Sequence, residues 1–144
     1  MVNVRDLLRT KPAELWTVAP NASVFQALEL LAAKDIGALP VVEDGRLVGI
    51  FSERDYARKV VLKGRASRDM SVSDVMVRTV ICVSPKDSNN DCMALITERR
   101  IRHLPVMEGE RLIGIVTIGD VVKQIITEQD HTIEQLERYI RGSY

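Results

Sequence analysis

Length, composition and charge exclude several classes of protein. The chain has 144 residues, 46% of them hydrophobic, which fits a compact globular body better than a disordered or fibrous one. Its 20 basic and 20 acidic residues balance, so net charge favours neither nucleic acid nor an anionic membrane as a partner. No stretch has the length and apolarity of a membrane span, and Met1 to Thr10 lacks the apolar core of a secretory signal. A cytoplasmic location is therefore expected.

The N-terminal part of the chain predicts a lead-in segment, a strand and a helix. The lead-in segment is Val4 to Leu8, and the strand is the short run Trp16 to Val18. Ser23 and Gln26 have the spacing of a capping box, in which each side chain bonds the other residue's backbone N–H. A helix is expected from there to about Lys34.

The next stretch predicts a β-hairpin. Leu39 to Val42 and Leu47 to Phe51 are apolar runs, and Asp44-Gly45 between them is a strong signal for a tight turn. A further helix is expected after the hairpin. Lys63 to Ser71 is polar and predicts a connecting loop.

The chain then repeats this pattern. Shifted by 65 positions, Thr17 to Asp55 matches Cys82 to Asp120 without a gap, and 14 of the 39 pairs are identical. Val72 to Met76 echoes the lead-in segment. Because one unit of about 60 residues buries too little apolar surface to be comfortably stable, the two copies are expected to share a core, with a ligand cleft between them. The predicted division is 1–66 for the first repeat and 67–128 for the second.

The C-terminal segment, 129–144, predicts an additional helix. The helix after Asp120 is expected to end near Thr127, and a separate one to run from Thr132 to Arg141. On that second helix the apolar residues fall on one face: Ile133, Leu136 and Ile140. This face requires a partner surface, either on the same chain or on a second copy.

The sequence offers little support for catalysis or metal binding. Cys82 and Cys92 lack the spacing of a zinc or redox motif and are interpreted as free thiols. The histidines are His103 and His131, and neither belongs to a zinc-protease motif. Cys92 is an unfavourable nucleophile, because burial and the neighbouring carboxylate of Asp91 both disfavour a thiolate. We expect no enzyme activity, no metal and no catalytic cofactor.

Two matching motifs resemble a known family. Gly49 to Asp55 reads Gly-Ile-Phe-Ser-Glu-Arg-Asp, and Gly114 to Asp120 reads Gly-Ile-Val-Thr-Ile-Gly-Asp, each after an apolar Leu-Pro-Val strand. This pairing resembles the signature of cystathionine β-synthase (CBS) domains, two of which form a Bateman module. A chain holding little else resembles the small stand-alone bacterial members. The resemblance implies an α/β (α+β) fold of two pseudo-symmetric units. Each unit has a three-stranded sheet and two helices, and the units pack sheet to sheet.

The resemblance also implies a binding site for an adenosine-containing ligand such as AMP, ADP, ATP, NAD(H) or S-adenosylmethionine. The favoured site takes its hydroxyl and carboxylate from the second motif and its other contacts from the first repeat and from the start of the second Leu-Pro strand. Aspartate accepts bonds from ribose hydroxyls, and a helix start attracts phosphate. The residues of this site are Thr117, Asp120, Ile115, Lys11, Trp16, Gly37, Ala38, Arg102 and His103.

A second, pseudo-symmetric site follows from the first motif. Its residues are Ser52, Asp55, Ile50, Val80 and Ile81, with Arg102 and His103 near the opposite strand. The two sites differ because Arg54 at the first helix start corresponds to Gly119 at the second, and only Arg54 is a cation suited to phosphate. Trp16 likewise corresponds to Ile81. One site is therefore expected to bind more tightly. Arg58 and Lys59 have no position fixed by the motif and are interpreted as solvated.

Structural interpretations of these residues stay open. An isolated Ser/Thr-x-x-Asp is often only a capping box. Trp16 fits an ordinary core residue, and a lone histidine such as His103 is often structural. The basic run Glu98 to His103 spans a helix end, where cations complement the helix dipole, so nucleic-acid binding is not expected.

The sequence thus predicts a regulatory sensor that binds an adenine nucleotide, pairs into a homodimer and signals to an unidentified protein target. The alternative is a protein-interaction adaptor with vestigial clefts that acts through its C-terminal helix. Nothing in the sequence names the ligand or the target.

Overall fold

A computed structural model describes residues 2–12 and 14–141. In chain order the elements are α1 (Val4–Arg9), α2 (Val24–Lys34), β1 (Ala38–Glu43), β2 (Arg46–Ser52), α3 (Glu53–Asp55, continuing as a π-helix over Tyr56–Val61), α4 (Val72–Val75), α5 (Asn89–Arg99), β3 (His103–Glu108), β4 (Arg111–Thr117) and α6 (Ile118–Ile140). The mixed α/β class with two small antiparallel sheets is confirmed, since β1 pairs with β2 and β3 with β4.

The chain forms two compact units. One comprises residues 2–12, 83–106 and 115–141, and we call it the Asp120 unit; the other comprises 14–82 and 107–114, and we call it the Asp55 unit. Each unit holds the hydroxyl and the carboxylate of one copy of the motif. The N-terminal segment 2–12 belongs to the unit that holds the second copy.

Capping boxes begin the helices as the sequence predicts. The Ser23 hydroxyl accepts a hydrogen bond from the Gln26 N–H, and the Gln26 side chain accepts one from the Ser23 N–H, each at 3.0 Å. The lead-in segments fold as α1 and α4, each opened by a capping box of its own. These local bonds satisfy N–H groups that a helix start leaves without an intrahelical partner.

The turn of the first hairpin has the conformation that its residues predict. Glu43 pairs with Arg46, and the two residues between them have positive φ, 50° at Asp44 and 77° at Gly45. Positive φ at both central positions is the requirement of a type I′ turn, which Asp-Gly meets with little strain.

The predicted strand at Trp16 to Val18 is wrong. Val18 alone pairs with Val41 in a parallel bridge, through its N–H to the Pro40 carbonyl and its carbonyl to the Val42 N–H. Val83 makes the same single bridge to Val106. Pro20 and Pro85 follow two residues later, and proline cannot donate to a sheet, so each sheet has two strands and an isolated bridge.

Another isolated bridge brings the backbone at Val77 against β2. Ile50 and Val77 exchange both hydrogen bonds, at 3.0 and 2.9 Å. At the neighbouring Gly49, an added Cβ would lie 2.6 Å from the Met76 sulfur and 2.9 Å from the Val77 carbonyl oxygen. Glycine at this position therefore permits a close backbone approach.

The predicted break in the C-terminal helix is also wrong, because α6 is one helix from Ile118 to Ile140. The segment between the expected helices contains no glycine or proline that would end it. Hydrogen bonds span the expected break, among them Thr132 Oγ1 to the Glu128 carbonyl at 3.0 Å. No helix in the described ranges is long and apolar enough to cross a membrane.

The Asp55 unit has a continuous apolar core. Phe51, Leu39 and Val41 from its sheet are fully buried and pack with Val24 and Val60 from its helices. Burying a side chain of this size stabilises the folded state by about 1.5–3 kcal/mol. The core holds the end of β2, and with it the start of the first motif, in place.

Candidate ligand-binding site

The second motif places a hydroxyl and a carboxylate at the start of α6. Thr117 ends β4, and its Oγ1 accepts a hydrogen bond from the Asp120 N–H at 3.2 Å. Asp120 Oδ2 accepts one in return from the Thr117 N–H at 2.9 Å. The side chain of Asp120 is 23% exposed. The carboxylate is therefore held in a defined orientation and stays accessible.

Lys11 completes this cluster from the N-terminal segment. Its Nζ lies 2.7 Å from Asp120 Oδ2 and donates to the Ile115 carbonyl at 2.8 Å. A hydrogen-bonded ion pair in a half-buried position is stronger than one on an open surface. The sequence predicted Lys11, Ile115, Thr117 and Asp120 for one site, and the structure brings these four together.

The start of β3 lies beside the same helix start. The Ile118 N–H donates to the Arg102 carbonyl at 2.9 Å, and His103 follows as the first residue of β3. Burial lowers the pKa of His103, the positive charges of Lys11 and Arg102 lower it further, and Asp120 opposes them. The imidazole is therefore neutral at pH 7, where it can both donate and accept a hydrogen bond.

The first motif holds its carboxylate more tightly. Asp55 Oδ2 accepts from both the N–H and the hydroxyl of Ser52, at 2.9 and 3.0 Å. Asp55 Oδ1 lies 3.2 Å from Lys59 Nζ, and the Asp55 side chain is 10% exposed. This carboxylate is more enclosed than that of Asp120.

Lys59, which was interpreted from the sequence as solvated, is 42% exposed but also contacts Asp55. It also donates to the Val75 carbonyl at 2.8 Å, so it bonds a carboxylate and a carbonyl as Lys11 does in the other unit. The available signal was its spacing, four residues after Asp55, which places opposite charges on one side of a helix.

Several predicted residues lie around the first motif. The Glu53 N–H donates to the Gly37 carbonyl at 3.1 Å, and Ala38 pairs with Ser52 across the sheet. Ile50 and Ile81 are half-buried, and Arg54 is exposed. Gly37 and Ala38 belong to the Asp55 unit, and their part in the Asp120 site stays a prediction.

Trp16 also belongs to the Asp55 unit. It packs against the apolar core of that unit, and Lys34 Nζ lies 4.1 Å from the centre of its ring. Because Lys34 covers one face, a base can stack on Trp16 only at the other face or after Lys34 moves. Trp16 is therefore in part a core residue, as one of the two interpretations of the sequence expects.

The two cysteines are unfavourable nucleophiles, because burial raises the pKa of both thiols. Cys82 and Cys92 are both free thiols. Burial, together with the carboxylates of Asp87 and Asp91, raises the pKa of Cys92 to about 11. In residues 2–12 and 14–141, no group of three or more His, Cys, Asp or Glu side chains is placed to hold a metal ion.

Comparison with known proteins identifies the family of this chain. The family model for the CBS domain matches residues 2–62 and 72–127. The CBS domain-containing protein YhcV of Bacillus subtilis is 36% identical over 129 residues, covering 89% of this chain and 89% of YhcV. A putative signal-transduction protein with CBS domains from Burkholderia ambifaria superposes with a TM-score of 0.86 at 46% identity, covering 89% of this chain and 96% of that one.

A more distant structure contains ligands. The CBS domain pair of protein MJ0100, solved in complex with 5′-methylthioadenosine and S-adenosyl-L-methionine, has a TM-score of 0.79 at 27% identity. The alignment covers 89% of this chain and 98% of the MJ0100 domain pair. The present chain belongs to the CBS-domain family and carries two CBS repeats in tandem, a regulatory type of module.

Proposed function

We propose that this chain is a sensor that binds an adenosine-containing ligand at the Asp120 site and relays its occupancy to a partner protein. The observation that carries the proposal is the cluster of Thr117, Asp120 and Lys11, in which an oriented carboxylate stays accessible beside a cation. The adenosine compounds bound to the MJ0100 domain pair support the same ligand class.

Each group in the cluster suits one part of a nucleotide. Among the described residues, the bonds to Asp120 from Thr117 and Lys11 both fall on Oδ2, so a ribose hydroxyl can donate to Oδ1. The Lys11 ammonium and the positive end of the α6 dipole both favour a phosphate. Ile115 is half-buried and offers an apolar surface to the base. AMP, ADP, ATP and NAD(H) all share these features.

The ligand is expected to prefer the second motif over the first. Ser52 and Lys59 already occupy both oxygens of Asp55, and the side chain is largely buried. A ribose hydroxyl would have to share Oδ1 with Lys59 at a side chain that is only 10% exposed. At Asp120, the bonds from Thr117 and Lys11 both fall on Oδ2, so a ribose hydroxyl can use Oδ1.

Thermal unfolding with a ligand series tests the proposal. The series is AMP, ADP, ATP, NAD, NADH, S-adenosylmethionine and GMP, added to protein that has been shown to carry no nucleotide. A ligand at about 100 times its Kd stabilises the fold by roughly 2.7 kcal/mol, which raises Tm by about 5–10 °C. Shifts with adenosine compounds but not with GMP are expected.

Two matched variants locate the site. Asp120→Asn should abolish most of the shift, whereas Asp55→Asn should retain it. Circular dichroism of both variants without ligand controls for folding. An undiminished shift in Asp120→Asn would disprove the placement, and absence of any shift in the wild type would disprove the sensor.

The adaptor is the second candidate function, because every described residue from Glu128 to Arg141 is exposed. An adaptor would bind its target through this part of α6 whether or not a nucleotide is present. Deleting residues 132–144 separates the two functions. A sensor keeps its nucleotide-dependent shift after the deletion, and an adaptor loses its target.

A further inference from the structure

A buried amide lies at the start of α5 in the Asp120 unit. Asn89 is 3% exposed, whereas Val24, its equivalent in the first repeat, is fully buried and apolar. In the part of the chain that the structure describes, the buried Oδ1 of Asn89 has no hydrogen-bond partner. An acceptor that is removed from water without gaining a donor destabilises the folded state. Asparagine at this position is therefore unfavourable for the fold, in a way that valine avoids.

The nitrogen of the same amide bonds the helix that carries Asp120. Asn89 Nδ2 donates to the carbonyl of Val121 at 3.3 Å, and Val121 is fully buried directly after Asp120. This carbonyl lies inside a regular helix, where the N–H four residues later is its ordinary donor. The bond from Asn89 is therefore additional to the backbone bonds of α6, and its effect is to hold the start of α6 against α5.

The backbone of Asn89 holds the N-terminal segment. Its N–H donates to the Val2 carbonyl at 3.0 Å. That segment continues through α1 to Lys11, whose Nζ lies 2.7 Å from Asp120 Oδ2. One residue thus bonds both parts of the chain that meet in this ion pair, the N-terminal segment through its backbone and α6 through its side chain.

Helix capping does not account for the side chain. The N-cap of α5 is Ser88, whose Oγ accepts a hydrogen bond from the Asp91 N–H at 3.0 Å. The Asn89 amide instead bonds a helix that is 32 positions further along the chain. Its contact is therefore between elements and not within α5.

We propose that Asn89 is a positioning residue for the Asp120 site. Its amide keeps the start of α6, and with it the Asp120 carboxylate, in place against the part of the unit that leads to Lys11. The inference rests on the proposed function, because this carboxylate is the one proposed to bind the ribose.

The first repeat explains why the amide is needed in one copy only. Lys59 follows Asp55 by four residues and reaches it from the same stretch of helix. Because both partners lie on one element, their ion pair requires no contact that holds two separate segments together. The equivalent of Asn89 is there the apolar Val24.

Asn89→Val tests the proposal, because it copies the first repeat. The substitution removes the bond to Val121 together with the unpaired acceptor, so the midpoint of urea denaturation without ligand should rise. The affinity for AMP, measured by isothermal titration calorimetry, should fall by about fivefold, the scale of one neutral hydrogen bond. An unchanged affinity would overturn the proposal. A loss of affinity accompanied by a loss of stability would also overturn it, since Asn89 would then support the fold as a whole.

Amide hydrogen exchange provides a measurement that needs no ligand. The Thr117 N–H donates to Asp120 Oδ2, and the Asp120 N–H donates to Thr117 Oγ1, so these amides report how firmly the carboxylate is held. In Asn89→Val both should exchange severalfold faster although the fold is more stable. The amides of Ser52 and Asp55 make the same bonds in the other unit and should not exchange faster.

Ile96→Val is the matched control for a change in the core of α5. Ile96 lies on the same helix and is 5% exposed. Loss of one methyl group should lower the stability without faster exchange confined to Thr117 and Asp120. The same confined effect in Ile96→Val would overturn a specific role for Asn89.

The two measurements distinguish failure of this inference from failure of the proposed function. If the wild type binds no adenosine compound but Asn89→Val speeds exchange at Thr117 and Asp120, the sensor is disproved and the positioning of the carboxylate stands. If the wild type binds AMP and exchange at these amides is unchanged in the variant, the positioning role alone is disproved.

Discussion

The two copies of the motif have the same local structure and different surroundings. Ser52–Asp55 and Thr117–Asp120 both form capping boxes at the end of a strand. Asp55 receives its lysine from the next turn of its own helix, whereas Asp120 receives Lys11 from the far end of its unit. The first carboxylate is enclosed and the second accessible. The difference shows how duplication can preserve a motif while burial decides which carboxylate stays accessible.

The largest effect on the free energy of unfolding is expected at the buried residue that precedes the hydroxyl of each motif. Phe51 and Val116 are equivalent, each just before the hydroxyl residue, and both are fully buried. Phe51→Ala should reduce the free energy of unfolding by about 3–5 kcal/mol because it opens a cavity. Phe51→Val, which copies the second repeat, should cost less. Urea denaturation measures both, and equal losses would show that the volume at this position does not matter.

Replacing each aspartate should show which of the two carboxylates contributes more to stability. Asp55→Asn is expected to lower the free energy of unfolding by about 2 kcal/mol, since it weakens charge-assisted bonds in a buried position. Asp120→Asn should cost less, because its carboxylate is more accessible to water. Chemical denaturation of both variants checks the order, and a larger loss in Asp120→Asn would contradict the assignment of enclosed and accessible copies.

Lys11 allows the phosphate contact to be tested separately. Lys11→Met should weaken AMP binding by about tenfold and leave adenosine binding nearly unchanged, because only AMP presents an anion to the ammonium. Lys59→Met is the matched control, since Lys59 holds the equivalent position in the first motif. Isothermal titration calorimetry measures the four affinities. Equal losses for AMP and adenosine would assign Lys11 a structural role.

The smallest effect concerns the pH dependence of stability. It is specific to the second repeat, because His103 corresponds to Ala38 in the first. The pKa of His103 lies below its ordinary value of 6.5 in the folded chain. The unfolded state therefore binds more protons just below pH 6.5, so stability falls as the pH drops from 6.5 toward the folded pKa. His103→Gln should remove that part of the acid sensitivity. Urea denaturation at pH 7.5 and pH 5.5 checks it, and an unchanged pH dependence in the variant would contradict this origin.

Local signals explain what was predictable from the sequence. Capping residues such as Ser23 and Gln26, and the Asp44-Gly45 turn, determine structure through neighbouring bonds, so the helix starts and the hairpin were predicted correctly. The repeat and its paired motifs identified the family. The association of Lys11 with Asp120 came from the resemblance and agrees with the structure.

Three features were not predicted from the sequence. Trp16 to Val18 has strand propensity, but only Val18 finds a pairing partner. The continuity of α6 depends on its own backbone bonds where the sequence showed a change in apolar pattern. Lys59 needed the burial of Asp55 to become more than a solvated cation.

The separation of Lys11 and Asp120 along the chain has a consequence for synthesis. These residues are 109 positions apart. At about 5–20 residues per second, Lys11 is made roughly 5–20 s before its carboxylate partner exists. Residues 14–82, which form most of the other unit, are complete before then. On the ribosome, the ion pair at the candidate site therefore cannot form until the 109 residues that follow Lys11 have been translated.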